Sequence, residues 1–256
     1  MKRIVCWYSS GIASAVATKL MIDDGYDVVI VKTETNSEHP DNARFDAKCE
    51  ELFGRPIMYL HNDKYDDTWD VFQKTKYLVG PKGARCTTEL KKKVRQAFQQ
   101  DGDLQVFGYT ADEEDRAKDL IHNNPEINIK CPLIERGWSK AMCFDYFNQF
   151  GIKRPEMYSL GFNNNNCIGC VKGGIGYWNR IRQKFPDVFD RMAKLEREIG
   201  IACCKTWKGN FDEEGNKLYE PIFLDELPPN KGVHRAMYLD DLFSHSMNCD
   251  FLCGGQ

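Results

Sequence analysis

The chain has 256 residues, is 42% hydrophobic and 29% charged, and carries a formal net charge of −3. That length allows one large domain, or a domain with an appendage. The balance of charge excludes wholesale electrostatic attraction to nucleic acid or an anionic bilayer, leaving only local patches. No stretch approaches the roughly 20 apolar residues needed to span a membrane, and Met1-Lys2-Arg3 leads into too few apolar residues for a signal peptide. A cytoplasmic protein is expected.

Ile4 to Tyr8 is a short apolar strand followed by Ser9-Ser10-Gly11. Ile12, Val16 and Leu20 then repeat at helical spacing, predicting a helix over 12–23. A helix start offers unpaired N–H groups and about half a positive charge. Two serines and a glycine at that point suit a phosphate or sulfate cradle; the alternative is an ordinary serine-capped turn. A strand over 27–33, a polar loop through Glu38-His39-Pro40, a helix over 42–53, a strand over 57–60 and a helix around 68–74 follow. This alternation predicts an α/β fold, a Rossmann-like parallel sheet with helices on both faces. Ligands of such sheets sit at the carboxyl ends of the strands, which places Ser9 to Ser14 and Thr33 on one rim.

Gly80 to Thr87 reads as a loop, and Thr88 onward opens a helix with Leu90, Val94, Ala97 and Phe98 on one face. Between Lys82 and Arg95 six basic residues stand against Glu89 alone. A strand over 104–110 ends at Gly108-Tyr109-Thr110, and Arg116 lies one helical turn further on, at the rim. A strand over 131–134 and a helix over 139–150 close this part. From about residue 159 the chain turns glycine- and asparagine-rich, which divides it into a nucleotide-binding domain over 1–158 and a cysteine-rich appendage over 159–256. Within the appendage, Val188, Phe189, Met192, Leu195 and Ile199 mark the apolar face of a helix beginning at Pro186, and a small β element begins near Thr206.

There are eleven cysteines. The odd number and the lack of an export signal argue against a disulfide framework. Cys6, Cys49, Cys131 and Cys143 read as small buried hydrophobes. Cys167 and Cys170 form a CxxC, a half-site for zinc or an iron–sulfur cluster; Cys203-Cys204 is a vicinal pair; Cys249 and Cys253 occupy the tail.

The serine-rich turn, Arg85-Cys86-Thr87-Thr88 and Gly108-Tyr109-Thr110 with Arg116 together resemble the adenine-nucleotide α-hydrolase-like (PP-loop) superfamily in its phosphoadenosine phosphosulfate (PAPS) reductase branch, and a group of mostly uncharacterised phage and bacterial proteins within it. The resemblance implies an enzyme that binds an adenine nucleotide, PAPS or ATP, through Ser9, Ser10, Gly11, Ser14, Thr33, Arg85 and Arg116. It implies thiol- or cluster-assisted sulfur chemistry with Cys253 as nucleophile and a thiol electron donor as partner. It also implies an iron–sulfur cluster held by Cys86, Cys167, Cys170 and a fourth cysteine from among Cys203, Cys204, Cys249 and Cys253, with Cys249 the one assigned; a zinc site of Cys167, Cys170, Cys249 and Cys253 fits the count equally well. Members that cleave ATP carry an aspartate where this chain has Ala13, which shifts the expectation toward reductase-like chemistry. Two alternatives stay open: ATP-dependent sulfur transfer to DNA or tRNA, and a nucleic-acid-associated module with a non-catalytic nucleotide fold.

Overall fold

Strand β1 (Ile4–Tyr8) is the central strand of the molecule's main sheet and buries Val5, Cys6 and Tyr8. The computed structural model describes residues 2–80, 83–232 and 234. In chain order β1 is followed by α1 (Ile12–Asp23), β2 (Val28–Thr33), α2 (Asn42–Phe53), β3 (Ile57–Leu60), α3 (Thr68–Thr75), β4 (Val79–Gly80), β5 (Gly83–Ala84), a π-helical turn (Thr87–Lys92), α4 (Lys93–Phe98) and β6 (Leu104–Phe107). Then come α5 (Glu114–His122), β7 (Asn128–Lys130), α6 (Pro132–Glu135), α7 (Lys140–Asn148), α8 (Glu156–Ser159), α9 (Ile175–Lys184), α10 (Pro186–Ile199), β8 (Cys204–Phe211) and β9 (Lys217–Ile222).

Two compact units share these elements. The first comprises residues 1–35, 40–64 and 90–155, and the second residues 36–39, 65–89 and 156–256. The first holds a five-stranded, all-parallel sheet of order β3-β2-β1-β6-β7. Its order reverses at β1, so the crevice at the carboxyl end of β1 is the topological switch point of this α/β, Rossmann-like fold. Helix α1 lies against β1, β2 and β6 and buries Ile12, Ala15, Val16, Ala17, Leu20 and Met21.

Two strand predictions change in this unit. The strand expected over 104–110 ends at Phe107, just before the close approach of Gly108 to the Ser14 backbone. The expected strand over 131–134 is not a strand. The pairing segment is Asn128–Lys130, and Pro132 opens a one-turn helix. Proline has no N–H to give a ladder but is well suited to the first position of a helix.

Beneath β1 and β2 lies a buried polar knot. The Lys32 ammonium meets Asp46 Oδ2 at 2.8 Å, and Tyr8 donates its hydroxyl to Asp46 Oδ1 at 2.8 Å. Burial, with the Asp46 carboxylate alongside, pushes the Tyr8 hydroxyl well above its usual range. The Cys49 thiol, on the next turn of α2, is pushed up to about 12 by burial.

The second unit packs α9 and α10 around Trp178, Ile181, Phe189, Met192 and Leu195. α9 begins within a stretch that reads in sequence as a glycine-rich loop; Gly174 is its N-cap and the helix proper starts one residue later. Glu196 sits on the apolar face of α10, fully buried, and accepts the backbone N–H groups of Cys203 and of Leu224, the latter at 2.7 Å. It thereby ties α10 to the start of β8 and to the segment after β9.

Burial raises the Glu196 pKa above its ordinary value. A raised carboxyl binds protons more readily folded than unfolded, so this group's contribution to stability grows as the pH falls through its folded pKa toward the unfolded one. Glu196→Gln removes that slope. It also faces an amide N–H₂ toward one of the two donors, leaving a buried N–H without an acceptor at a cost of about 1–3 kcal/mol. Thermal melts of wild type and E196Q between pH 4 and pH 8 are expected to show a lower melting temperature for the variant, with the gap widening as the pH falls through the raised Glu196 pKa. Equal melts throughout would show that the carboxylate is not a staple.

Candidate functional site

The β1–α1 turn is built by backbone geometry that the sequence only partly announces. Ser10 is fully buried and takes a left-handed conformation, with φ at 54°. Gly11 is the extended N-cap of α1, and no side chain caps that helix. Ser14 Oγ accepts the Ser9 N–H at 3.1 Å, lies 3.0 Å from Ser9 Oγ, and donates to the Gly11 carbonyl at 2.9 Å. One hydroxyl thus locks both sides of the turn. The first N–H groups of α1 have no intrahelical acceptor by construction, and they lie at the positive end of a twelve-residue helix.

A second wall comes from the end of β6. A Cβ added at Gly108 would lie 2.7 Å from Ser14 Cα and 2.8 Å from Ser14 N. Only a glycine lets these two backbones meet. Thr33 ends β2, whose Lys32 is in register with Tyr8 of β1, so Ser9 and Thr33 follow one another across neighbouring strand ends.

Beyond Gly108 the rim carries both signs, with Asp112, Glu113, Glu114 and Asp115 beside Arg116. Arg116 is exposed, pairs with Glu113, and stacks its guanidinium 5.3 Å from the Tyr109 ring. Arg95 lies 5.4 Å from the Phe107 ring, where burial lowers its pKa. The Ala111 N–H bonds to the Trp138 carbonyl at 2.8 Å and the Lys140 N–H to Asp112 Oδ2 at 2.9 Å, which fixes the start of α7 beside the end of β6. Burial there brings the Lys140 ammonium down to about 8. Sequence reasoning missed Lys140, although a lysine directly after the Ser139 N-cap opposes the helix dipole and is a signal in itself. Ala13, half-buried in the first turn of α1, adds no carboxylate to the cradle.

Arg85 belongs to the second unit. It leads into the π-helical turn and forms an ion pair at 2.9 Å with the buried Glu89. Cys86, Cys167 and Cys170 belong to the same unit. The CxxC loop is clamped by Tyr177, which donates its hydroxyl to the Cys167 carbonyl at 3.1 Å and accepts the Cys170 N–H at 2.9 Å. Cys204 Sγ is directed at the Gly173 carbonyl, 3.9 Å away, and the Gly173 N–H bonds back to Cys170 at 2.8 Å. The vicinal pair therefore packs under the CxxC loop. Cys249 and Cys253 lie outside the described residues. Among the described residues no group of three or more His, Cys, Asp or Glu side chains is placed to hold a metal ion.

No family profile and no curated protein matches the chain. A solved structure does. The chain is similar to a phosphoadenylyl-sulfate (PAPS) reductase from Candida auris, crystallised as a phosphate complex, at 12% identity and a TM-score of 0.49, over 65% of this chain and 82% of that one. No helix of the described residues is long and apolar enough to cross a membrane.

The remaining cysteines sort by environment. Cys6, Cys49 and Cys143 are buried, with thiols pushed up to about 12 by desolvation, and Cys131 to about 11. Cys204 is pushed to about 12 and Cys203 higher, chiefly by burial and then by Glu196. None of these is a thiolate at neutral pH, and a thiol is a poor nucleophile.

Proposed function

We propose that this chain is a sulfonucleotide-processing enzyme of PAPS reductase type, which binds an adenine nucleotide at the β1–α1 turn. The observation that carries this reading is the glycine-lined cradle at the switch point of the sheet, where the uncapped start of α1, the Ser9–Ser14 hydroxyl lock and Gly108 converge. Such a cradle directs backbone N–H groups and the helix dipole at an anion. Ser9, Ser10, Gly11 and Ser14 are assigned to the nucleotide's phosphate or sulfonate, with Thr33 on the neighbouring strand end and Arg116 as the rim cation; Arg85 is assigned a phosphate contact on the family resemblance.

The proposed chemistry is attack of a cysteine thiolate on the sulfonate sulfur. The S–O bond to the nucleotide phosphate breaks, the phosphate leaves with that electron pair, and a protein S–SO₃⁻ adduct forms. A second thiol then attacks the protein sulfur, releasing sulfite and leaving a disulfide, so the two electrons that reduce the sulfur come from two thiols. Cys253 is assigned the first role. Cys86, Cys167, Cys170 and Cys249 are assigned to an iron–sulfur cluster or zinc on the resemblance. The described residues do not by themselves form such a site, so no step is drawn through a metal.

Ser10→Ala removes a fully buried hydroxyl from the turn, loosening the cradle, and is expected to weaken adenine-nucleotide affinity about tenfold, or about 1.4 kcal/mol. Calorimetric titration of S10A with PAPS, adenosine 3′,5′-bisphosphate and ATP tests this. Affinities unchanged from wild type would remove the turn from the site.

A further inference from the structure

The β8–β9 ribbon carries a face that the fold does not use. In this antiparallel pair Trp207 stands opposite Tyr219, and Phe211 opposite Lys217. The irregularity between Trp207 and Phe211 keeps the two on one side, with ring centroids 5.9 Å apart, and the Lys217 ammonium lies 5.5 Å from the Trp207 ring. The rings of Trp207, Phe211 and Tyr219 are 47%, 55% and 54% exposed. Lys205, two residues before Trp207, shares this face and is exposed.

Three aromatic residues side by side, each about half exposed to water, form a cluster of the kind that marks an interaction surface. The charges choose the partner. By strand alternation the charged side chains of the aromatic face are Lys205 and Lys217. The carboxylates of the ribbon lie elsewhere. Asp212 is occupied in the turn by the N–H groups of Glu214 and Asn216, Glu213 and Glu214 sit in that turn, and Glu220 alternates to the opposite face. Flat rings interleaved with cations, and without anions, complement a chain that offers stackable bases and phosphates together. An acidic peptide would use the lysines but leave the rings in water. A duplex would present its phosphates but keep its bases stacked inside.

We infer that the exposed face of the β8–β9 ribbon, through Trp207, Phe211, Tyr219, Lys205 and Lys217, binds single-stranded nucleic acid by base stacking. This site is independent of the nucleotide cradle and does not depend on the reading given for it.

The test is fluorescence anisotropy of a fluorescein-labelled 20-mer of thymidylate titrated with the full-length chain, beside a 20-base-pair duplex, over a series of salt concentrations. Saturable binding is expected, tighter for the single strand. Two lysine–phosphate contacts predict a log–log salt slope of about −1.4. Trp207→Ala is expected to weaken binding at least about fivefold, and adding Phe211→Ala to weaken it further. The pair Lys205→Glu with Lys217→Glu leaves every ring in place and is expected to weaken binding and flatten the salt slope, so it stands as a second test should the aromatic variants fold poorly. Three results would overturn the inference: no binding by the full-length chain, binding equal to wild type in both sets of variants, or a concentration-dependent dimer in sedimentation that W207A/F211A dissolves without changing oligonucleotide affinity.

Discussion

Replacing Asp46 with alanine is expected to destabilise the protein by about 3–5 kcal/mol, the typical cost of stripping one partner from a buried ion pair. The side chains of Lys32 and Asp46 are 5% and 1% exposed. Without Asp46 the Lys32 ammonium stays in a low-dielectric pocket, and the Tyr8 hydroxyl loses its acceptor. In a chain of this length each kcal/mol moves the melting temperature by about 2–4 °C, so D46A should melt about 10 °C lower. The double variant Lys32→Met/Asp46→Leu removes both charges and is expected to recover most of that loss, since apolar replacements of buried pairs are often neutral or stabilising. A D46A melting temperature within a degree of wild type would show that the pair is not buried in solution.

The second large effect is at Gly108. A methyl group there would sit 2.7 Å from Ser14 Cα, 2.8 Å from Ser14 N and 3.0 Å from Ala13 C. All three are backbone atoms, so no rotamer change relieves the clash. Either β6 or the first turn of α1 must move. Overpacking of this kind costs about 1–3 kcal/mol. The displacement also falls on the turn that Ser14 Oγ holds together. Gly108→Ala is therefore expected to lower the melting temperature by several degrees and to abolish nucleotide binding measurable by calorimetry. An alanine variant that melts and binds as wild type would show that the two backbones are further apart than 2.7 Å implies.

The bounds of α1, α2 and β3 are those the sequence predicts, because each rests on a strong local signal: helical periodicity after Ser-Ser-Gly, an amphipathic run ending at Gly54, and a four-residue apolar segment. The β1–α1 turn was legible for the same reason. The Ser14 lock was only partly so, since which hydroxyl closes which carbonyl depends on the left-handed Ser10. The strand expected over 131–134 rests on an apolar run, which the missing N–H of Pro132 overrides. The Lys32–Asp46 pair left almost no local trace. A charge is buried or exposed according to partners distant in sequence, and the one cue was a lysine inside the otherwise apolar β2. Glu196 gave a similar cue, an acid on the apolar stripe of α10 four residues after Met192.

Calorimetric titration of the full-length wild-type chain with adenosine 3′,5′-bisphosphate, PAPS and ATP, repeated with S10A and G108A, is the most direct measurement. Saturable one-site binding of at least one of these nucleotides, weakened in S10A and lost in G108A, is the predicted result. Absence of heat with all three for a correctly folded wild-type chain, or binding indifferent to both substitutions, would contradict a nucleotide site at the β1–α1 turn.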